Sequence, residues 1–203
     1  MFVKLNLPGP SDRIKDAIYR IADSSSYELE LKKTHDKVQN YTVNSVSRKF
    51  VEDDSEFNQL VKDEYSKYFN ETIHPAVGIV TNLKSSEVSC WPPHSDRVRI
   101  FALNFYLDEG GEHVETVMYN THDNYIAGPG TGKIYNYNDL EIDKIYHLKI
   151  NQWYGLNVRQ VHSIENIESR RIIFTISFHD FTFFDFIEKY KNLLIAEETY
   201  IKK

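Results

Sequence analysis

The sequence predicts a mainly β protein with flanking helices, an α+β arrangement centred on a double-sheet jelly roll or related β-barrel. Seven short segments rich in β-branched and aromatic residues fall between residues 76 and 178, without regular helices between them. Fourteen tyrosines and twelve phenylalanines suit sheets lined by aromatic rings better than a helical bundle. Helical periodicity is confined to the two flanks.

Ser11 and Asp12 cap a predicted helix over 13–22, where Ile14, Ile18 and Ile21 form one apolar stripe. Residues 27–31 and 41–43 are short strand candidates in a mixed stretch. Asp53, Asp54 and Ser55 then precede a second helical pattern carrying Phe57, Leu60, Val61, Tyr65, Tyr68 and Phe69 on its apolar side. Strands are expected over 76–81, 99–107, 113–119, 133–135, 145–150, 158–164 and 171–178. Turns are expected at 108–111, 128–132 and 151–152, where Gly, Pro and Asn accumulate. The run 128–133 (GPGTGK) lacks both the spacing and the strand-to-helix setting of a phosphate loop, so it reads as a turn. Residues 178–194 return to helical spacing.

At 203 residues the chain is expected to form a single domain, 1–203, with a substantial core. Within it, 1–75 is a helical and mixed elaboration, 76–178 the β core, and 179–203 a C-terminal helix packed outside. A net charge of −6, with basic residues only in isolated pairs such as Lys32-Lys33 and Arg170-Arg171, argues against direct nucleic-acid binding. Cys90 is the only cysteine, which excludes an intramolecular disulfide and a cysteine-based zinc cluster. It is expected to be a small buried hydrophobe beside Trp91. No secretory signal and no membrane-spanning window is evident, so a cytoplasmic protein without a membrane partner is expected.

The chemistry points to His94, Asp96, His162 and Arg171. Two imidazoles and a carboxylate can hold a divalent iron and leave coordination positions open. His94 and Asp96 are one residue apart, so an extended backbone projects both to the same side. His162 lies in an apolar stretch that reads as a strand and is expected to face that pair from across the barrel. Arg171 follows nine positions later and offers a permanently charged fork suited to a carboxylate. Asn104 and Tyr106 share strand parity and are expected to face inward, as are Thr175 and Ser177 with Arg171. Taken singly, each has an ordinary alternative: a chance His-x-Asp triplet, a core histidine, a surface-paired arginine, barrel core.

Pro93-His94-Ser95-Asp96, the run 99–108 (RIFALNFYLD) and the run 161–178 (VHSIENIESRRIIFTISF) resemble the Fe(II)- and 2-oxoglutarate-dependent oxygenases over about residues 76–178. The resemblance implies a double-stranded β-helix (jelly-roll, cupin-like) core. It also implies Fe(II) on His94, Asp96 and His162, and 2-oxoglutarate held through its distal carboxylate by Arg171. Tyr106 is similar to a tyrosine that some members use to orient that co-substrate, and Asn104 is its neighbour on the same face. The implied activity is hydroxylation with molecular oxygen, coupled to decarboxylation of 2-oxoglutarate to succinate. Features are shared with a prolyl-hydroxylase-like branch. Trp153 and Asn157 resemble an aspartyl/asparaginyl-hydroxylase-like branch, whose members can lack the carboxylate that Asp96 supplies.

Two other classes stay open on the residues alone. A metal-containing cupin-like isomerase or dioxygenase would keep the three ligands without turning over 2-oxoglutarate. A non-catalytic β-barrel binding protein would hold no iron tightly. Under the oxygenase resemblance the primary substrate stays open between a peptide or protein residue and a small molecule, and loops over 84–91 and 113–125, including His122 and Asp123, are expected to shape its approach.

Overall fold

The structure is a computed structural model that describes residues 2–23, 46–51, 55–82, 89–96, 99–120, 124–128 and 132–195. In chain order the elements are β1 (Phe2–Leu5), α1 (Asp12–Asp23), β2 (Val46–Val51), α2 (Ser55–Tyr65), β3 (His74–Asn82), β4 (Ser89–Ser95) and β5 (Phe101–Glu109). Then follow β6 (Glu115–Asn120), β7 (Ile126–Gly128), β8 (Gly132–Ile134), β9 (Glu141–Tyr146), β10 (Trp153–Leu156), β11 (His162–Ile167), β12 (Arg170–Phe178), α3 (Phe183–Lys189) and β13 (Leu194–Ile195).

Two antiparallel sheets result. The major sheet has the order β13-β1-β10-β5-β12-β3-β2 and the minor sheet β7-β8-β4-β11-β6-β9. From β3 to β6 the chain crosses from one sheet to the other at every strand, and it does so again from β9 to β12. That winding produces a double-stranded β-helix, or jelly roll, as expected.

Strand alternation separates two environments on the major sheet. Phe101, Leu103 and Phe105 of β5, with Ile172, Phe174 and Ile176 of β12, face outward into one cluster with the buried residues of α1 and α2. Ile14, Ala17, Ile18 and Ile21 supply the α1 stripe, while Phe57, Val61 and Tyr65 supply that of α2. The Pro8 carbonyl accepts from both the Tyr65 hydroxyl (3.0 Å) and the Trp153 indole (2.8 Å), tying the N-terminal segment over this layer. The alternate residues, among them Ala102 and Tyr106, face the minor sheet and pack with Met118, Tyr154 and Leu156.

Several expectations shift. The helix expected from residue 13 is α1, and α2 ends at Tyr65 although Phe69 still reaches the core. β1, β2, β4, β7, β10 and β13 lie outside the expected strands, and β4 begins at Ser89, inside the loop expected over 84–91; β1 is too short to carry a clear alternating pattern. The strand expected over 145–150 is shifted towards the N-terminus: β9 starts at Glu141 and ends at Tyr146, and the chain turns at Asn151, whose φ is 57°. The strand expected over 158–164 begins only at His162. Asn157 closes a turn before it, accepting from Arg159 N–H (3.2 Å) and Gln160 N–H (3.1 Å). In the C-terminal segment, helix covers Phe183–Lys189 and β13 then returns to pair with β1. The run 128–133 joins the hairpin strands β7 and β8. The candidates at 27–31, 41–43 and 84–88, the cap at Asp53 and Asp54, and Lys32, Lys33, His122 and Asp123 lie outside the described residues.

Candidate functional site

His94 owes its direction to a bulge. His162 pairs with His94 and Ile164 with Trp91, so two steps along β11 match three along β4. Pro92 and Pro93 take up the extra residue, where the missing proline N–H costs no ladder bond. Trp91 and His94 therefore face the interior together, with ring centroids 6.2 Å apart. His162 stands beside them, its ring centroid 4.3 Å from that of His94. The expectation that His162 would face His94 from across the barrel is corrected, because β11 and β4 are hydrogen-bonded neighbours in one sheet.

Both rings are buried, and each is oriented the same way. Nδ1 of His94 lies 2.9 Å from the Pro92 carbonyl, and Nδ1 of His162 lies 2.9 Å from the Gln160 carbonyl. A carbonyl oxygen can only accept, so each Nδ1 carries a proton, and Nε2 is the nitrogen left to offer a lone pair when the ring is neutral. That is the state in which an imidazole ligates a metal, with the second nitrogen anchored to backbone.

Asp96 follows β4 directly, and its N–H donates to the Val158 carbonyl at 2.9 Å. Its Oδ1 is 4.0 Å from His94 Nε2, so the two residues do share a side. Its Oδ2 is held by the Arg99 guanidinium. Neighbouring donors around a six-coordinate ion with bonds of roughly 2.1 Å stand about 3 Å apart, and the 4.0 Å gap is wider. Among the described residues, no three His, Cys, Asp or Glu side chains converge closely enough to hold a metal ion as they stand. The donor types and the histidine tautomers fit a divalent metal; the Asp96 carboxylate has to turn inward to complete the set.

Arg171 enters from the opposite sheet and is 2% exposed. Its terminal nitrogen donates to Thr116 Oγ1 on β6 at 3.2 Å, and its guanidinium lies 4.7 Å from the centroid of the Tyr106 ring. Its Nε is buried without a hydrogen-bond partner, and no carboxylate among the described residues pairs with it. Arg170 points to the other face, where it bonds Asp23 at the end of α1 (2.6 Å). Asn104 accepts from Thr175 (2.8 Å) and donates to the Tyr106 hydroxyl (3.4 Å), so the inward residues of β5 and β12 form one polar chain leading to Arg171.

Thr116 and Arg99 have no prominent signal in the sequence. Thr116 is marked only by sharing parity with Met118, and Arg99 only by following Asp96 by three. Trp153 belongs to the helix-side core, away from the two histidines. Cys90 is half-buried; burial pushes its thiol up, against a lowering hydrogen bond with Tyr137, and Glu165 raises it further.

No protein-family model matches the chain. No curated protein sequence matches it either. Solved structures superpose on it at low similarity. A prolyl-4-hydroxylase from Pseudomonas putida superposes with a TM-score of 0.40 and 9% identity, over 88% of this chain and 91% of that one. The non-heme α-ketoglutarate-dependent epimerase SnoN of nogalamycin biosynthesis gives 0.45 and 16%, over 88% and 76%. An oxidoreductase of the 2OG-Fe(II) oxygenase family from Burkholderia pseudomallei gives 0.35 and 9%, over 86% and 93%.

Proposed function

We propose that this chain is an Fe(II)- and 2-oxoglutarate-dependent oxygenase that hydroxylates an amino-acid residue in a peptide or protein, or a small metabolite. The observation that carries the reading is Arg171, a buried guanidinium without a carboxylate partner among the described residues, facing the interior that also holds His94 and His162. A charge so placed is stable when an anion from outside completes it. Its contact Thr116 pairs with Ile164, two residues along β11 from His162. That step is roughly 7 Å along the strand, the length scale of a five-carbon dicarboxylic acid.

His94, Asp96 and His162 would hold the metal. Bound iron would supply the oxygen activation that no side chain can perform. Arg171 and Thr116 orient the distal carboxylate, and the Tyr106 ring supports the guanidinium through a desolvated cation–π contact. The apolar walls given by Ala102, Met118 and Leu156 limit water around the reacting groups.

The wide spacing of His94 and Asp96, and the hold of Arg99 on Asp96, favour a second reading as a metal-free binding protein. One experiment separates them. Anaerobic titration with Fe(II) and then 2-oxoglutarate is expected to show both bind, and admission of oxygen is expected to yield succinate. Absence of iron binding leaves the second reading standing. Iron binding without succinate indicates a different metal enzyme.

A further inference from the structure

We infer that Ser177 and His179 form a hydrogen-bonding subsite for the backbone of an extended peptide, at the end of the barrel that holds His94 and His162. The inference deepens the proposed function by choosing the peptide among its substrates. It rests on that reading for what is done to the peptide, and on no bound metal. β12 turns Arg171, Ile173, Thr175 and Ser177 inward, since Phe174, Ile176 and Phe178 belong to the helix-side core. Arg171 stands near the start of that strand and Ser177 near its finish, opposite Ala102 of β5. Ala102 shares the interior cluster of Met118, and Met118 is the strand partner of His162. Ser177 thus lies at the histidine end of the interior.

Two polar atoms at this end are buried without a hydrogen-bond partner among the described residues: the hydroxyl of Ser177, a residue 1% exposed, and Nε2 of His179. Leaving such groups unpaired is costly, and a ligand that bonds them removes the cost. His179 is braced by His74, which pairs with Ser177 across β3; the two imidazoles stack with centroids 3.9 Å apart and planes 1° apart. Rings in such contact resist a charge on both. The nearby guanidinium is that of Arg99, whose neighbour Ile100 donates to the Phe178 carbonyl (3.3 Å), and it is engaged by Asp96. The subsite therefore fits a neutral polar group rather than an acid. Residues 177 and 179 are alternate positions, roughly 7 Å apart on an extended chain, the repeat at which an extended peptide turns its backbone groups to one side. A lone carboxylate is too small to reach both. One of the two atoms donates to a peptide carbonyl and the other accepts from a peptide N–H.

The test uses metal-free protein without co-substrate, so its result does not depend on iron binding. A mixed library of capped pentapeptides is screened for binding. The tightest member is then titrated by calorimetry into wild type, Ser177→Ala and His179→Phe, with urea unfolding in parallel. Wild type is expected to bind the peptide, and acetate is expected not to compete. Each variant should bind it roughly 3–10-fold more weakly, the share of one neutral hydrogen bond. Replacing one peptide amide by an ester should weaken binding to wild type at a single position. That effect should vanish in whichever variant lacks the acceptor. Ser177→Ala should be no less stable than wild type, because it removes a hydroxyl that folding leaves unpaired, whereas loss of a structural hydroxyl lowers stability. No binder in the library, competition by acetate, unchanged affinity in either variant, or a destabilised Ser177→Ala overturns the inference. Peptide binding of the expected kind alongside a failed anaerobic iron titration keeps the subsite and removes the oxygenase reading alone.

Discussion

His94 and His162 stand opposite one another on β4 and β11, ring centroids 4.3 Å apart, each anchored through Nδ1 to the carbonyl two residues before it. One bond thus fixes both the position and the tautomer of each ring. Asparagine can reproduce the Nδ1 donor but has no atom at the Nε2 position. His162→Asn is therefore expected to fold, with stability reduced by about 1–2 kcal/mol. Its Fe(II) affinity should fall by more than the roughly 100-fold that loss of an outer-shell contact can cost. Anaerobic calorimetry with a parallel urea melt checks both, and retained affinity would remove His162 from the proposed ligand set.

Arg171→Met should separate stability from binding. The parent buries a guanidinium without an acidic partner among the described residues, so an apolar replacement of similar length relieves desolvation. The variant is expected to be no less stable than the parent, and up to about 4 kcal/mol more stable. Binding of 2-oxoglutarate should weaken at least about 30-fold, because the co-substrate carboxylate loses its charged partner. A destabilised variant with unchanged co-substrate affinity would contradict both halves.

Gly110 couples the turn after β5 to Arg171. Its φ is +89°, and an added Cβ would lie 2.9 Å from the Cβ of Arg171. Its carbonyl also accepts from the N–H groups of Glu168 (2.9 Å) and Ser169 (2.7 Å). Gly110→Ala is expected to cost about 1–3 kcal/mol in urea unfolding. It should also weaken 2-oxoglutarate binding by displacing Arg171. Loss of stability alone would limit the turn to a structural role.

The pinning of α3 gives a two-sided pH dependence. Glu71 accepts from Lys189 and from the Tyr190 hydroxyl (2.5 Å). Burial opposes ionisation of Glu71, but these hydrogen bonds outweigh it and hold its carboxyl below the ordinary 4.5. Its contribution is present above that value and is lost as pH falls through the lowered one. Burial and then the bond to Glu71 push the Tyr190 phenol up from 10.0 to about 12. That contribution is complete below pH 10 and is lost as pH rises through about 12. Glu71→Gln should flatten the acid limb of a melting-temperature profile and reduce the alkaline limb. An acid limb unchanged by the substitution would rule out this contact as its source.

The sequence alone determined the strand-rich core, the flanking helices and the residue types of the site. Those properties are local: period-two alternation, an isoleucine stripe at helical spacing, turn residues between strands. It also set the parity that separates Arg171 from Arg170, because neighbours on a strand face opposite ways. Tertiary structure decided what pairing and packing control. It put His162 beside His94 rather than across from it, since strand order is a long-range choice. It re-aimed His94 through a two-proline bulge, gave Arg171 the hydroxyl of Thr116, and set Arg99 on Asp96. None of these is written in spacing, because each depends on which distant strands share hydrogen bonds and which buried charges find a counterpart.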